Sequence, residues 1–289
     1  MTKAILINKV INKFKKKITV SADKSLSIRF AILASQAIGK SKAYNLLRSE
    51  DVISTLTCLK KLGVKIKLTK KKCEIDGRGL NGYIFKNNMI INAGNSGTAA
   101  RLICSTLIKS PKKIKIIGDS SLSKRDMQRI IDPLKKFGAT FYPKNRKTLP
   151  LSIRGTDQVK SINYEELKGS AQCKSAVMLA ALSAPGITKL KCKRSRNHTE
   201  LLFKYLKIPI QIKKIKNFDY IQVKGGGEIS SFNYNLPGDI SSSAFFIVLT
   251  LLSKKSSLII KNINVNPSRT GVITVLNLMG AKIQLKNRK

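Results

Sequence analysis

Tryptophan is missing from this chain of 289 residues, histidine occurs once, and acidic residues number only 15. A lone histidine, His198, and five scattered cysteines (Cys58, Cys73, Cys104, Cys173 and Cys192) without a C-x-x-C pair suggest neither a zinc site nor a disulfide framework. A reducing compartment, the cytoplasm, is therefore expected. The longest apolar run, Ala244 to Leu252, is too short to span a bilayer, and the N-terminus alternates apolar residues with lysine instead of forming a signal-peptide core. No membrane partner is expected.

What is abundant is positive charge: 56 Lys and Arg give a formal net charge of +41, on a chain that is 42% hydrophobic and long enough for two cores. Such an excess raises the question of nucleic acid, because phosphate neutralisation supplies most non-specific affinity. The basic runs, Lys15 to Lys17, Lys70 to Lys72 and Lys213 with Lys214, lie without interleaved aromatics, so they read as solvated surface. Their field should still draw anionic small molecules toward any cleft.

The stretch Ser21 to Ile38 gathers Asp23, Lys24, Ser25, Ser27 and Arg29 ahead of an apolar helical face. Ser25 reads as an N-cap, so that free backbone N–H groups, a helix dipole and two cations would act on one spot. The arrangement recurs. Helices preceded by small polar residues start near Ser25, Ser96, Ser170 and Ser241, at steps of 71, 74 and 71 residues. Each is followed by a β-like run, among them Lys113 to Ile117, Ile187 to Cys192 and Ser257 to Ile260. A second helix then closes on a glycine at Gly63, Gly138 and Gly280, whereas the third copy has Ile208-Pro209 in that place. A period of about 72 residues with β-α-β-α-β content marks a supersecondary unit present four times, each copy burying its helices against the others.

The segments DKSLSIR, RSEDVISTLTCLKKLGV, NAGNSGTAARL, GDSSLSKRDMQRIIDPLKKFGA, SAQCKSA, SRNHTE, PGDISSSAFF and NPSRTGVITVLNLMGA resemble, in order, those of the enolpyruvyl transferase family. Within it they are similar to the branch acting on shikimate 3-phosphate; the branch acting on UDP-N-acetylglucosamine has Lys-Asn where Lys24-Ser25 stand here. The resemblance implies an α/β inside-out barrel of repeated βαβαβ units, helices inside and sheets outside. A complete three-unit substrate-binding domain would span 21–236, and an incomplete, discontinuous one would comprise 1–20 plus 237–289. It also implies transfer of the enolpyruvyl group of phosphoenolpyruvate to the 5-hydroxyl of shikimate 3-phosphate, without metal or organic cofactor.

Roles follow from the resemblance position by position. Lys24 would bridge both substrates and shuttle a proton, while Ser25 and Arg29 would hold the shikimate. Gly97, flanked by Asn95 and Thr98, would admit backbone N–H groups close to phosphoenolpyruvate, whose phosphate Arg125 would clamp. Ser170 and Gln172 would bind the phosphorylated sugar acid, with Ser195 and Arg196 at its 3-phosphate. Taken alone, Ser170 and Ser195 read as helix caps, His198 as a structural turn residue, Lys174 as a helix-surface residue, Asp239 as a cap, and Glu50 with Asp51 as a capping pair.

Departures from the family pattern are also visible. Ser21-Ala22 stand where Pro-Gly is common, so alanine would have to supply glycine torsions. Asp126 stands where proline is common, placing a carboxylate beside Arg125. Six units of about 72 residues would need roughly 430, so the chain reads as two C-terminal units short. Weak or absent activity alone, a loose smaller domain and a complementary chain supplying the remaining units are the corresponding expectations. The alternatives are a non-catalytic shikimate-phosphate-binding module and a basic nucleic-acid-binding remnant.

Overall fold

The computed structural model describes residue 11 and residues 13–286. The N-terminus in which apolar residues alternate with lysine, residues 1–10, lies outside the described residues. The chain divides into two compact units, one of Lys24–Leu236 and one formed by the residues up to Asp23 with those from Pro237 on.

Strand β1 (Lys15–Ile18) comes first. The first copy of the repeat contains α1 (Lys24–Ser35), β2 (Ile38–Tyr44), α2 (Glu50–Lys61), β3 (Lys65–Leu68) and β4 (Lys72–Arg78). The second contains β5 (Met89–Asn92), α3 (Gly97–Thr106), β6 (Ile114–Ile117), the single turn α4 (Ser120–Ser123), α5 (Gln128–Lys136), β7 (Thr140–Tyr142) and β8 (Leu151–Arg154). The third contains β9 (Asn163–Glu166), α6 (Ala171–Ala181), β10 (Ile187–Lys193), α7 (His198–Tyr205), β11 (Ile210–Ile215) and β12 (Phe218–Lys224). After β13 (Asn233–Asn235), the fourth contributes α8 (Ile240–Leu252), β14 (Ser257–Ile260) and α9 (Gly271–Leu278).

In the larger unit the three copies make three four-stranded sheets of one topology: β13-β2-β4-β3, β5-β6-β8-β7 and β9-β10-β12-β11. In each, the first pair is parallel and the other two are antiparallel. The copy is thus βαβαββ, one strand more than the sequence pattern suggests. The first copy receives its parallel edge strand, β13, from the far end of the unit, which closes the three copies into one body.

Helices α1, α3 and α6 form the centre. Every residue of α1 from Leu26 to Ser35 is buried, as is α3 from Ala99 to Thr106 and α6 from Cys173 to Ala181. Their sequences are rich in Ala, Ser and Cys, small residues that suit close packing on every side. A glycine in each copy permits the closest approach. A Cβ at Gly77, Gly155 or Gly225 would lie 2.0–2.4 Å from a carbonyl oxygen near the end of α1, α3 or α6 respectively, so the last strand can pass the helix end only without a side chain.

The second helices close as the sequence suggests at Gly63, Gly138 and Gly280, all with positive φ. In the third copy the matching position is Lys207, with φ 55°, one residue before the Ile208-Pro209 where the pattern placed the gap. Neither Ser21 nor Ala22 has positive φ, so no glycine torsion is needed there; Ala22 is buried and bridges Gly238.

In the smaller unit β1 pairs with β14 in parallel. Helix α8 buries only Ile240 and Ser243, and leaves Phe245 at 79% and Leu252 at 80% exposure; Leu278 and Met279, at the end of α9, are exposed to a similar degree. A helix apolar nearly all round is suited to enclosure, and here it faces solvent.

Candidate functional site

All the residues singled out above as site candidates lie in the larger unit, where α3, α6, α1 and α7 begin. Ser96 caps α3, its hydroxyl accepting from Ala99 N at 3.2 Å. Gly97 is the first residue of the helix and is buried. A Cβ there would stand 3.0 Å from Arg101 Nη1 and 3.4 Å from Arg125 Nη1, so glycine lets two guanidinium groups approach the helix start. Arg125 Nη2 donates to Asn95 Oδ1 at 2.7 Å and to Ser121 Oγ at 3.2 Å, and Asn95 donates onward to Asp119. The Leu122 N–H and the Asn95 amide hold the Asp119 carboxyl below its usual range.

Arg101, one turn along α3, is 6% exposed. It donates to Gln172 Oε1 and, at 2.8 Å, to the Asp126 carbonyl oxygen. Burial and then the neighbouring guanidiniums of Arg129 and Arg125 push its pKa down, with Asp126 opposing. A cation destabilised by other cations is the electrostatic mark of a place short of negative charge.

Asp126 does not face Arg125. Its carboxylate accepts from Gln128 N at 2.7 Å and lies 3.8 Å from Arg129 Nε, so it serves the start of α5. The carboxylate that the sequence places beside Arg125 thus contacts Gln128 and Arg129 instead.

Gln172 joins α6 to α3, donating to Thr98 Oγ1 at 2.8 Å while it accepts from Arg101. Ser170 caps α6, accepting from Cys173 N at 3.2 Å, as a cap reading requires. Arg29 is buried and donates to Thr199 Oγ1 and Ser175 Oγ, each at 2.9 Å, and to the Ser25 carbonyl at 3.1 Å. It therefore ties α1 to α6 and α7. Helix α1 begins at Lys24, so Ser25 lies within its first turn instead of capping it. The Lys24 ammonium pairs with Asp51 of α2 at 3.1 Å, a partly exposed contact that involves none of these arginines.

Lys174 is not on a helix surface. It is fully buried and paired with Glu200 at 2.6 Å, the two side chains being 0% and 3% exposed, and its Nζ also lies 3.5 Å from the Ser195 carbonyl. Ser195 does not cap α7, whose N-cap is Asn197; its buried hydroxyl has no hydrogen-bond partner. Arg196 beside it is exposed. Arg101, Ser175, Thr199 and the Lys174–Glu200 pair are the parts that reading the sequence missed. Only Arg101 carried a signal, one turn after Gly97 in NSGTAARL.

Among the described residues no group of His, Cys, Asp and Glu could hold a metal ion, and no helix is long and apolar enough to cross a membrane. All five cysteines are buried and free. A hollow of about 500 Å³ lined by Lys113, Tyr142 and Arg154 lies away from these helix starts. In the smaller unit, Asp239 does cap α8, accepting from Ser241 N at 2.8 Å, and it also pairs with Arg269 at 3.0 Å.

Three sheet-covered copies around buried helices, with arginines gathered where the helices begin, define an inside-out α/β barrel of the enolpyruvyl transferase kind. The family described as EPSP synthase (3-phosphoshikimate 1-carboxyvinyltransferase) matches residues 9–289, and the chain belongs to it. It is 40% identical over 276 residues to the 3-phosphoshikimate 1-carboxyvinyltransferase of Petrotoga mobilis, covering 94% of this chain and 63% of that protein. The same-named protein of Syntrophomonas wolfei is 38% identical, with 98% and 65% covered. A solved structure of EPSP synthase from Acinetobacter baumannii superposes with a TM-score of 0.87 at 36% identity, covering 97% of this chain and 63% of that one. The chain spans about 63% of the length of these proteins.

Proposed function

We propose that the chain carries the carboxyvinyl transfer of its family, from phosphoenolpyruvate to the 5-hydroxyl of shikimate 3-phosphate, in the shikimate pathway of aromatic amino acid biosynthesis. The observation that supports this reading best is the excess of guanidinium groups around Gly97, with Gln172 bridging to the start of α6. Dianionic phosphates are the ligands that relieve such an excess. Arg125 and the N–H groups beside Gly97 would take phosphoenolpyruvate, between Asn95 and Thr98. Ser170, Gln172, Ser195 and Arg196 would take the phosphorylated sugar acid, with Ser25 and Arg29 completing its seat.

In this reading the 5-hydroxyl oxygen bonds to C2 of phosphoenolpyruvate and a proton adds at C3, giving a tetrahedral adduct. Loss of phosphate and of a methyl proton then restores the vinyl group. Lys24, released from Asp51, would move a proton, a contribution worth about 10²- to 10⁴-fold. A cytoplasmic location, which five free thiols suit, is part of the same proposal.

Calorimetric titration with shikimate 3-phosphate tests the reading. Saturable binding that is lost in Gln172→Ala and reduced in Lys24→Ala supports it; equal heats from wild type and both variants would remove these residues from the account.

A further inference from the structure

The sheet β9-β10-β12-β11 has its inner side covered by α6 and α7, where Leu190, Cys192, Ile221 and Val223 are buried. Its outer side carries the alternate residues, and the strand register sets them in rows. Lys189 stands between Asn163 and Gln222; Lys191 stands between Glu165 and Tyr220, with Lys213 on the far side of Tyr220. Lys193 stands beside Phe218, and Lys224 beside Ile187. Five lysines thus surround two aromatic rings on the central strand β12, and the ammonium of Lys191 sits 5.4 Å from the Phe218 ring centre. Tyr220 is 38% exposed. One carboxylate, Glu165 on the edge strand, pairs with Lys191 at 3.3 Å.

General enrichment in lysine does not account for this pattern. In the sheet β13-β2-β4-β3, of identical topology, the corresponding strand β4 puts Asp76 between Lys40 and Lys65, and Glu74 between Lys42 and Lys67. There two carboxylates stand at the middle of four lysines, and Glu74 also pairs with Lys72 at 2.8 Å. On the third copy's sheet, rings occupy the middle and the cations remain largely unanswered.

We propose that this outer face binds single-stranded nucleic acid, phosphates on the lysines and bases stacked on Tyr220 and Phe218. Two rings at alternate positions of one strand stand about 7 Å apart, a spacing that lets neighbouring bases of an extended strand use both. A four-stranded face with one exposed and one half-buried ring suits unpaired bases, and the amides of Gln222, Gln211 and Asn163 offer contacts to base edges. The aromatic interleaving that the linear sequence lacks is created by strand pairing.

The test is fluorescence anisotropy of a labelled oligothymidylate of about 12 nucleotides with the full chain over a range of salt. Engagement of four or five lysines predicts a slope of log K against log salt near −3. Tyr220→Ala should weaken binding by at least ~5-fold, with Tyr220→Phe close to wild type. Lys189→Glu with Lys213→Glu should weaken it further, while Lys40→Glu with Lys65→Glu on the other sheet should leave it nearly unchanged. Duplex DNA of the same length should bind more weakly, since its bases are already stacked. Equal losses from the two lysine pairs, an unaltered Tyr220→Ala, equal duplex affinity, or binding confined to anionic lipid vesicles would each overturn the proposal. Circular dichroism of every variant separates these outcomes from unfolding.

Discussion

Gln172 of α6 and Arg101 of α3 are joined by a hydrogen bond in which a neutral amide oxygen is the acceptor for a buried cation. The amide's other end is held by Thr98 at 2.8 Å. Removing the amide in Gln172→Leu leaves the Arg101 donor without its acceptor. A destabilisation of about 1–3 kcal/mol is expected, read from urea unfolding. Unchanged stability would mean that water replaces the amide without cost.

Lys174 and Glu200 make the most deeply buried ion pair of the larger unit. Lys174→Met leaves the Glu200 charge buried alone and should cost about 3–5 kcal/mol. The double variant Lys174→Met with Glu200→Leu should recover most of that loss, because two apolar side chains need no partner. A double variant no better than the single one would show that packing, not charge, sets the cost.

Lys207 takes the left-handed conformation that glycine takes at Gly63, Gly138 and Gly280. A side chain in that conformation costs roughly 1–2 kcal/mol, partly offset by the greater freedom of glycine in the unfolded chain. Lys207→Gly should therefore raise stability by about 1 kcal/mol. A loss would mean that the lysine makes a compensating contact.

Burial pushes the thiols of Cys58 and Cys73 up to about 11 and those of Cys104, Cys173 and Cys192 up to about 12. Their folded pKa values lie above the unfolded ones, so their stabilising contribution is whole below pH about 9 and is lost as pH rises toward 12. Unfolding midpoints should fall steeply in that range. At pH 8 the native protein should react with a thiol reagent far more slowly than the unfolded chain, and fast labelling of all five would contradict this.

The repeat was legible because its spacing is a property of the linear sequence: serines near helix starts and glycines at helix ends. Only Ser96 and Ser170 prove to be N-caps, because Lys24 already opens α1 and Asp239 caps α8. Lys174 and Arg101 were not legible as buried residues. In a helix enclosed on every side no polar face exists, so a buried cation and an exposed one look alike until a partner such as Glu200 arrives from elsewhere. The extra strand of each copy and the face around Tyr220 depend on register between segments far apart in sequence, which no local period reports.

We propose that Arg29 seats shikimate 3-phosphate while Arg125, with Arg101 beside it at Gly97, seats phosphoenolpyruvate. The test is nitrogen-15 NMR of the arginine side chains during titration with shikimate 3-phosphate and then with phosphoenolpyruvate. The proposal predicts a saturable shift of the Arg29 signal with shikimate 3-phosphate and of the Arg101 and Arg125 signals once phosphoenolpyruvate follows, with shikimate lacking the phosphate producing a far weaker Arg29 response. Signals that stay in place while the ligands bind, or an equal Arg29 response to shikimate with and without the phosphate, would contradict it.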